Sequence, residues 1–513
     1  MTSRRVLVPI LAALLLALAG APGTGLAAPE GQITWGVHVS LAPTWFDPAE
    51  TPGMITPFMV LYALHDAMVK PMPGQPAAPS LAESWSVSKD GLTYEFILRK
   101  GSRFHNGEPV TAEDVKFSFE RYRGAAARTL KERVAVVETP DPARIRFRMK
   151  QPWPDFLTFY TSASGAGWIV PKKYVEKVGD EAFKKAPVGA GPYKFVSFTP
   201  GVELVLEAFD QYWRKPPNVK RLVFRVISEE STRLAALKRG EVDIVYSVRG
   251  ELAEELQRTP GLTLKPAVIQ GTFWLYFPDQ WDSKSPWHDR RVRLAASLAL
   301  DRPTINQALT LGHSRLTGNI IPSTFDFFWQ PPAPVYSAAR AKQLLAEAGY
   351  PSGFDAGEFF CDGSYANLAE AVGNNLQAVG IRAKLRPLER AAFFAAYGEK
   401  KLKNIIQGSS GAFGNAATRL EGFVVSGGTY SYGGYPDIDG LFQEQAAELD
   451  RKRREAILHK MQQLVLEKAM YAPIWELAFL NGVGPRVKES GLGLISGHAY
   501  SAPYEDVALK AAK

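Results

Sequence analysis

Apolar and polar positions alternate most clearly at residues 92–99, where Tyr94, Phe96 and Leu98 interleave with Thr93, Glu95 and Ile97. This pattern predicts a strand with one strongly apolar face. A preceding strand at 85–87 is joined to it through Asp90-Gly91, a dipeptide that tolerates the positive φ angles of a tight hairpin turn. Thr111 then stands three residues before Asp114, a capping-box variant, and Val115, Phe119 and Tyr122 share one face of the helix it starts. Elsewhere the same reading predicts an opening strand at 32–39, a short helix carrying Leu234 and Leu237 that Gly240 stops, and a strand at 242–246 with acidic Asp243 inside it. Ser337 caps a helix striped by Ala341, Leu344, Leu345 and Ala348 and ended by Gly349 and Pro351, and a polar helix spans 451–468. No fixed-period repeat, heptad run or low-complexity tract interrupts this α/β pattern.

The first residues follow a different pattern. Arg4 and Arg5 precede an apolar run at 6–19 and small residues at Gly25, Ala27 and Ala28, the order of a secretory signal peptide. The apolar run is shorter than the roughly 20 residues that span a bilayer. Pro29 disfavours a cut behind Ala28, so cleavage is expected after Ala27, giving a signal peptide at 1–27. Cys361 is the only cysteine, so the chain has no thiol for lipid attachment behind the signal and forms no internal disulfide. The mature chain of 486 residues is too long for one core, and two or more lobes are expected. With Arg4 and Arg5 removed, 58 basic residues face 52 acidic ones, a net charge of +6. That excess is spread along the chain without a basic tail or an aromatic-basic stripe, which argues against nucleic acid and weakly favours an acidic ligand or an anionic membrane surface.

Residues 79–121 read PSLAESWSVSKDGLTYEFILRKGSRFHNGEPVTAEDVKFSFER. This wording resembles the signature of extracellular solute-binding protein family 5, the periplasmic peptide- and nickel-binding proteins of ABC importers. Further blocks in the same order extend the resemblance over nearly the whole mature chain. They are VGAGPYKF from Val188, with Ala190 where the family has Thr, the ALKRGEVD unit around Gly240, HDRRVR from His288 with Asp301-Arg302 after it, AKQLLAEAGYPSGF from Ala341, and Tyr435-Pro436-Asp437-Ile438-Asp439. The resemblance implies an α/β fold of the periplasmic binding protein-like kind, type II, cluster C, with two large lobes, a small inserted lobe and a ligand cleft at the hinge. It divides the chain into lobe I at 28–66, 186–280 and 481–513, small lobe II at 67–185, and lobe III at 281–480. It also implies a monomer in the periplasm that takes a small-molecule or peptide-like ligand, without a cofactor, and delivers it to the transmembrane subunits of an ABC permease.

No G-x-S-x-G, H-E-x-x-H, P-loop or G-x-G-x-x-G motif is present, so the sequence offers no support for catalysis. The seven histidines never fall at a metal-ligand spacing, and His105 and His288, both within the family's motifs, are read as hydrogen-bonding residues. The resembled peptide binders carry a Trp and, three residues on, an Asp that captures the peptide's terminal ammonium. The matching positions here are Ser409 and Ala412, and Asn415-Ala416-Ala417 replaces the family's DPD phrase. A cation held there without a carboxylate costs several kcal/mol, about what an unpaired buried charge costs, so a standard free-N-terminus dipeptide is disfavoured. The alternative is a shifted alignment in a Gly-rich loop. Phe413, Arg419, Tyr430 and Tyr432 share this segment, and an arginine beside aromatics suits an acidic group. Arg419 equally suits a surface or inter-lobe salt bridge. Trp45 and Phe46 in the opening loop, and Trp274 and Tyr276 in a predicted strand, are candidate cleft walls or core. The leading expectation is therefore a binder of an acidic or atypical peptide-like solute. The alternatives are a nickel, metal-chelate or haem binder on the same scaffold, or a periplasmic enzyme or assembly factor.

Overall fold

The computed structural model describes residues 29–51, 55–124, 126–161, 164–411, 414–495 and 498–511. The expected signal peptide and its cleavage site, and the candidates Ala412 and Phe413, lie outside these residues. No helix among them is long and apolar enough to cross a membrane.

A single eleven-stranded sheet runs through most of the molecule, in the order Tyr193–Thr199, Glu203–Ala208, Val219–Val226, Glu30–Val37, Ile244–Val245, Tyr471–Val483, Thr263–Tyr276, Ile405–Ser410, Phe354–Asp362 and Ile381–Leu388. The short strand Arg315–Leu316 adds onto Tyr471–Val483. Two parallel groups stand on either side of its middle, one of them extended outward by the antiparallel strands Glu203–Ala208 and Tyr193–Thr199. Glu30–Val37 pairs in parallel with Val219–Val226 and Ile244–Val245, and Phe354–Asp362 pairs in parallel with Ile381–Leu388 and Ile405–Ser410. Strands of this kind are covered on both faces and carry continuous apolar runs, and Ile33, Trp35 and Val37 are fully buried. The two groups are joined by the antiparallel pair Thr263–Tyr276 and Tyr471–Val483, whose register shifts between Val268 and Thr272 and again between Phe273 and Trp274. Such bulges bend the strand they interrupt. Tyr471–Val483 is buried at all thirteen positions, and its Glu476 and Asn481 side chains are satisfied. Glu476 accepts from the Ser323 N–H and hydroxyl at 3.0 Å, and the Asn481 oxygen accepts from the Ser247 N–H at 3.2 Å.

A separate four-stranded antiparallel sheet orders Ala82–Val87, Thr93–Leu98, Arg144–Met149 and Val134–Asp141. Tyr94, Phe96 and Leu98 are buried as the alternation predicts, and Gly91 takes φ +68° in the hairpin turn. The helix Ala112–Arg121 covers this face with Val115 and Phe119. Its capping box is present: the Thr111 N–H and hydroxyl both donate to the Asp114 carboxylate, at 2.9 and 2.7 Å.

The rest of the signature holds this unit in place. Arg121 donates to both oxygens of Asp47 in the opening loop, at 2.7 and 2.8 Å, and to Asp180 at 2.7 Å. Through its ring nitrogens His105 donates to the Gly191 carbonyl at 2.9 Å and accepts from the Gly189 N–H at 3.2 Å. Gly189 has to be glycine, since a Cβ there would lie 1.9 Å from the Leu64 carbonyl oxygen. On the opposite side the small sheet's connection reaches the far part of the molecule. One Asp155 oxygen accepts from Asn415 Nδ2 and the other from Arg454 Nη2, both at 2.5 Å.

Candidate functional site

In open α/β sheets, ligands bind beyond the carboxyl ends of parallel strands. Here the two parallel groups run in opposite directions, and register shows where their ends point. Ile244 and Val245 pair with Val483 and Gly482, so the chain beyond them heads toward Leu480. Ile406 to Ser410 pair with Tyr276 to Thr272, so the chain beyond them heads toward Val268 from the other side. Both sets of ends converge on the bulged middle of the crossing strands.

The residues that leave those ends form a crevice. His38 follows Glu30–Val37, Ser247 and Arg249 follow Ile244–Val245, Tyr365 follows Phe354–Asp362, and Arg390 follows Ile381–Leu388. Buried Arg233 fixes the first side by donating to the carbonyls of Ile227, Ser228, Tyr246 and Ser247 at 2.7–3.0 Å. Val248 N–H donates to the Leu480 carbonyl at 2.8 Å, and Ser247 sits at φ +55°, a conformation that a non-glycine residue rarely takes. This turn aims Arg249 across the crevice. Its guanidinium lies 5.6 Å from the Tyr365 ring centroid and donates to the Ser364 carbonyl at 3.3 Å. No carboxylate among the described residues lies within 4.0 Å of that guanidinium; Glu230 takes only the Arg249 backbone N–H. Arg390, by contrast, is paired with Asp362 at 2.5 Å. Tyr500 and His38 complete the rim, with the Tyr500 hydroxyl 3.3 Å from His38 Nε2. Burial, reinforced by Arg233 and Arg249, pushes the His38 pKa down to about 3, so the ring is neutral at pH 7. The crevice is therefore electropositive through its arginines.

The residues singled out from sequence fall into two places. Phe46 is fully buried, edge-on to Phe198 at 4.9 Å, and half-buried Trp45 packs on the same main core. Trp274, Tyr276, Tyr430 and Tyr432 gather in a second cluster behind the strand Ile405–Ser410. There the Tyr276 hydroxyl accepts from the Tyr432 N–H at 3.0 Å, and Tyr430 stacks on Phe423 at 4.9 Å. Arg419 is 3 % exposed, below the Trp274, Phe325 and Phe423 rings, and donates to Thr272 Oγ1 and the Ile320 carbonyl at 3.0 Å. Burial pushes its pKa down to about 9. It is not a surface residue. Local patterns did not single out His38, Arg249, Tyr365, Arg390 or Tyr500; apart from Tyr500, the signal they carry is position just after a strand of a parallel group.

His288 Nδ1 lies 2.9 Å from the Gln280 carbonyl, a backbone contact like that of His105. Among the described residues no three His, Cys, Asp or Glu side chains cluster as a metal site. Cys361 is fully buried, and burial, then Asp362 and Glu370, push its thiol up to about 11.

Comparison with known proteins agrees with this architecture. The family described as "Bacterial extracellular solute-binding proteins, family 5 Middle" matches residues 77–431. Heme-binding protein A of Haemophilus influenzae is 26 % identical over 454 residues, covering 80 % of this chain and 81 % of that protein. A probable di/tripeptide-binding protein 5 of Pseudomonas aeruginosa is 27 % identical over 492 residues, covering 88 % and 91 %. The solved structure of the periplasmic binding protein AgaA of A. tumefaciens R10, in complex with agropinic acid, superposes with a TM-score of 0.74 at 25 % identity, covering 94 % of this chain and 99 % of that one. The chain belongs to the bacterial extracellular solute-binding proteins, family 5, the solute-capturing components of ABC importers.

Proposed function

We propose that this binding component captures an acidic solute, peptide-like or an amino-acid conjugate, in the crevice at Arg249 and delivers it to its permease by closure of the two large lobes. The observation that carries this reading is the Arg249 guanidinium, which faces the crevice with one backbone carbonyl and, among the described residues, no carboxylate as partner. An arginine in a partly desolvated cleft binds a carboxylate with paired, charge-assisted hydrogen bonds. Ala412, where the resembled peptide binders place their ammonium-binding Asp, speaks against an ordinary dipeptide. The relatives bracket the chemistry: one is named for di/tripeptides, and AgaA holds agropinic acid. The reading includes the finer expectations of export by the cleaved segment 1–27, residence in the periplasm without a lipid anchor, action as a monomer, and the three-lobe division given above. Of the residues singled out from sequence, Arg419, Trp274, Tyr276, Tyr430 and Tyr432 back the strand end that carries the loop with Ala412 and Phe413.

Isothermal titration of a panel containing glutathione, agropinic acid, N-blocked dipeptides, free dipeptides and haem tests this. Acidic, N-blocked members are expected to bind best, and Arg249→Gln is expected to weaken them tenfold or more, in line with about 1.5–3 kcal/mol for a hydrogen bond to a charged group. Free neutral dipeptides binding as tightly as the acids, or an Arg249→Gln protein that binds unchanged, overturns the reading.

A further inference from the structure

Beside Arg249 the crevice deepens into a cavity of about 30 Å³ at the bulged middle of the crossing strands. Its wall is mostly apolar. Leu309 and Leu368 come from two helices of the far side, Phe273 from Thr263–Tyr276, and Trp475, Leu477 and Phe479 from Tyr471–Val483. Arg249, Tyr365 and Asn367 stand at the same cavity as its polar members, together with Ser247 and Thr310. A space of this size holds a water or two and no ligand. It lies between segments from both parallel groups, so parting them along the bulged strands enlarges it. Trp475, on the same wall, is closed off from solvent. It is 1 % exposed, and its indole N–H finds no acceptor among the described residues, although buried polar groups are almost always paired. The cavity thus joins a guanidinium and an aliphatic and aromatic wall within one small volume.

We propose that this cavity is a subsite for the apolar side chain of the ligand. The carboxylate lies on Arg249, and an aliphatic or aromatic group lies between Leu309, Leu368 and Phe479. The class of solute is an N-acylated apolar amino acid, free or as the acidic end of a larger conjugate. This rests on the reading of Arg249 as the carboxylate partner and narrows it.

Matched ligands separate the two claims. Titration of N-acetyl-leucine against N-acetyl-glycine reads the subsite, because the two acids differ only in the apolar group. The leucine compound is expected to bind at least tenfold more tightly. Leu309→Gln, at a half-buried position that tolerates a polar group, is expected to narrow that ratio to below threefold, and Leu368→Phe, which fills the cavity, to do the same by volume. Arg249→Gln is expected to weaken both acids by the same factor and leave the ratio intact. Equal binding of the two acids by the unaltered protein, or a ratio that survives both cavity variants, overturns the subsite. If in that case Arg249→Gln still weakens both, the acidic reading stands alone. If neither acid binds and no member of the wider panel responds to Arg249→Gln, the acidic reading has failed and the subsite fails with it.

Discussion

His38, His65 and His105 are each enclosed, and burial lowers their pKa values to about 3, 4 and 3. Each ring takes up a proton near pH 6.5 in the unfolded chain but not in the folded one, so the unfolded state binds more protons between those limits. Stability therefore rises with pH, and it is lost progressively as pH falls from about 6.5 toward 3. At pH 5 the loss comes to roughly 2 kcal/mol for each ring. Urea unfolding between pH 7 and 5 is expected to show this slope, and His105→Asn to flatten it by about a third; an unchanged slope would show that His105 titrates normally. Gly189 answers to distance. Gly189→Ala puts a methyl group against the Leu64 carbonyl and is expected to cost about 3 kcal/mol or more in the same measurement. The backbone role of His105 could be read from its motif, but the confinement that sets its pKa comes from Phe209 and the Gly189 to Gly191 segment, more than 80 residues away.

The helix Ala112–Arg121 shows how far local pattern reaches. Asp114 serves two segments: besides the Thr111 contacts, its other oxygen accepts from the Lys172 N–H at 2.9 Å. Thr111→Ala is expected to cost about 1 kcal/mol, as for loss of an ordinary cap, and Asp114→Ala about twice that, because Lys172 also loses its partner. Equal costs would mean that the Lys172 contact adds nothing. The hairpin, this helix and the Ser337-capped helix were legible because each depends on neighbours within a few residues. The strand expected at 242–246 shortens to Ile244–Val245 for a reason that no window of sequence contains. The Asp243 carboxylate turns to the Thr34 N–H and to Arg486, which come from opposite ends of the chain. The crevice was hidden for the same reason. His38, Arg249, Tyr365 and Arg390 meet only through the register of two crossing strands.

Across the whole molecule, the bridge from Asp155 to Asn415 and Arg454 ties the small sheet's side to the part of the chain that carries Ala412. Removing one member of a buried ion pair strands the other, at about 3–5 kcal/mol. Asp155→Ala is expected to favour a more open arrangement, seen as a larger radius of gyration by small-angle scattering without ligand; an unchanged radius would show that the bridge does not hold the parts together. Family and architecture were legible from ordered blocks of wording, while the crevice was not, because the residues named there come from loops that leave four separate strands. Cys361, sealed in the core with a thiol that stays protonated at neutral pH, leaves the surface free of reactive sulfur. A cysteine engineered on either side of the crevice would thus be the only one to take a maleimide dye, turning the unmodified background of this chain into a ready optical sensor for its own cargo.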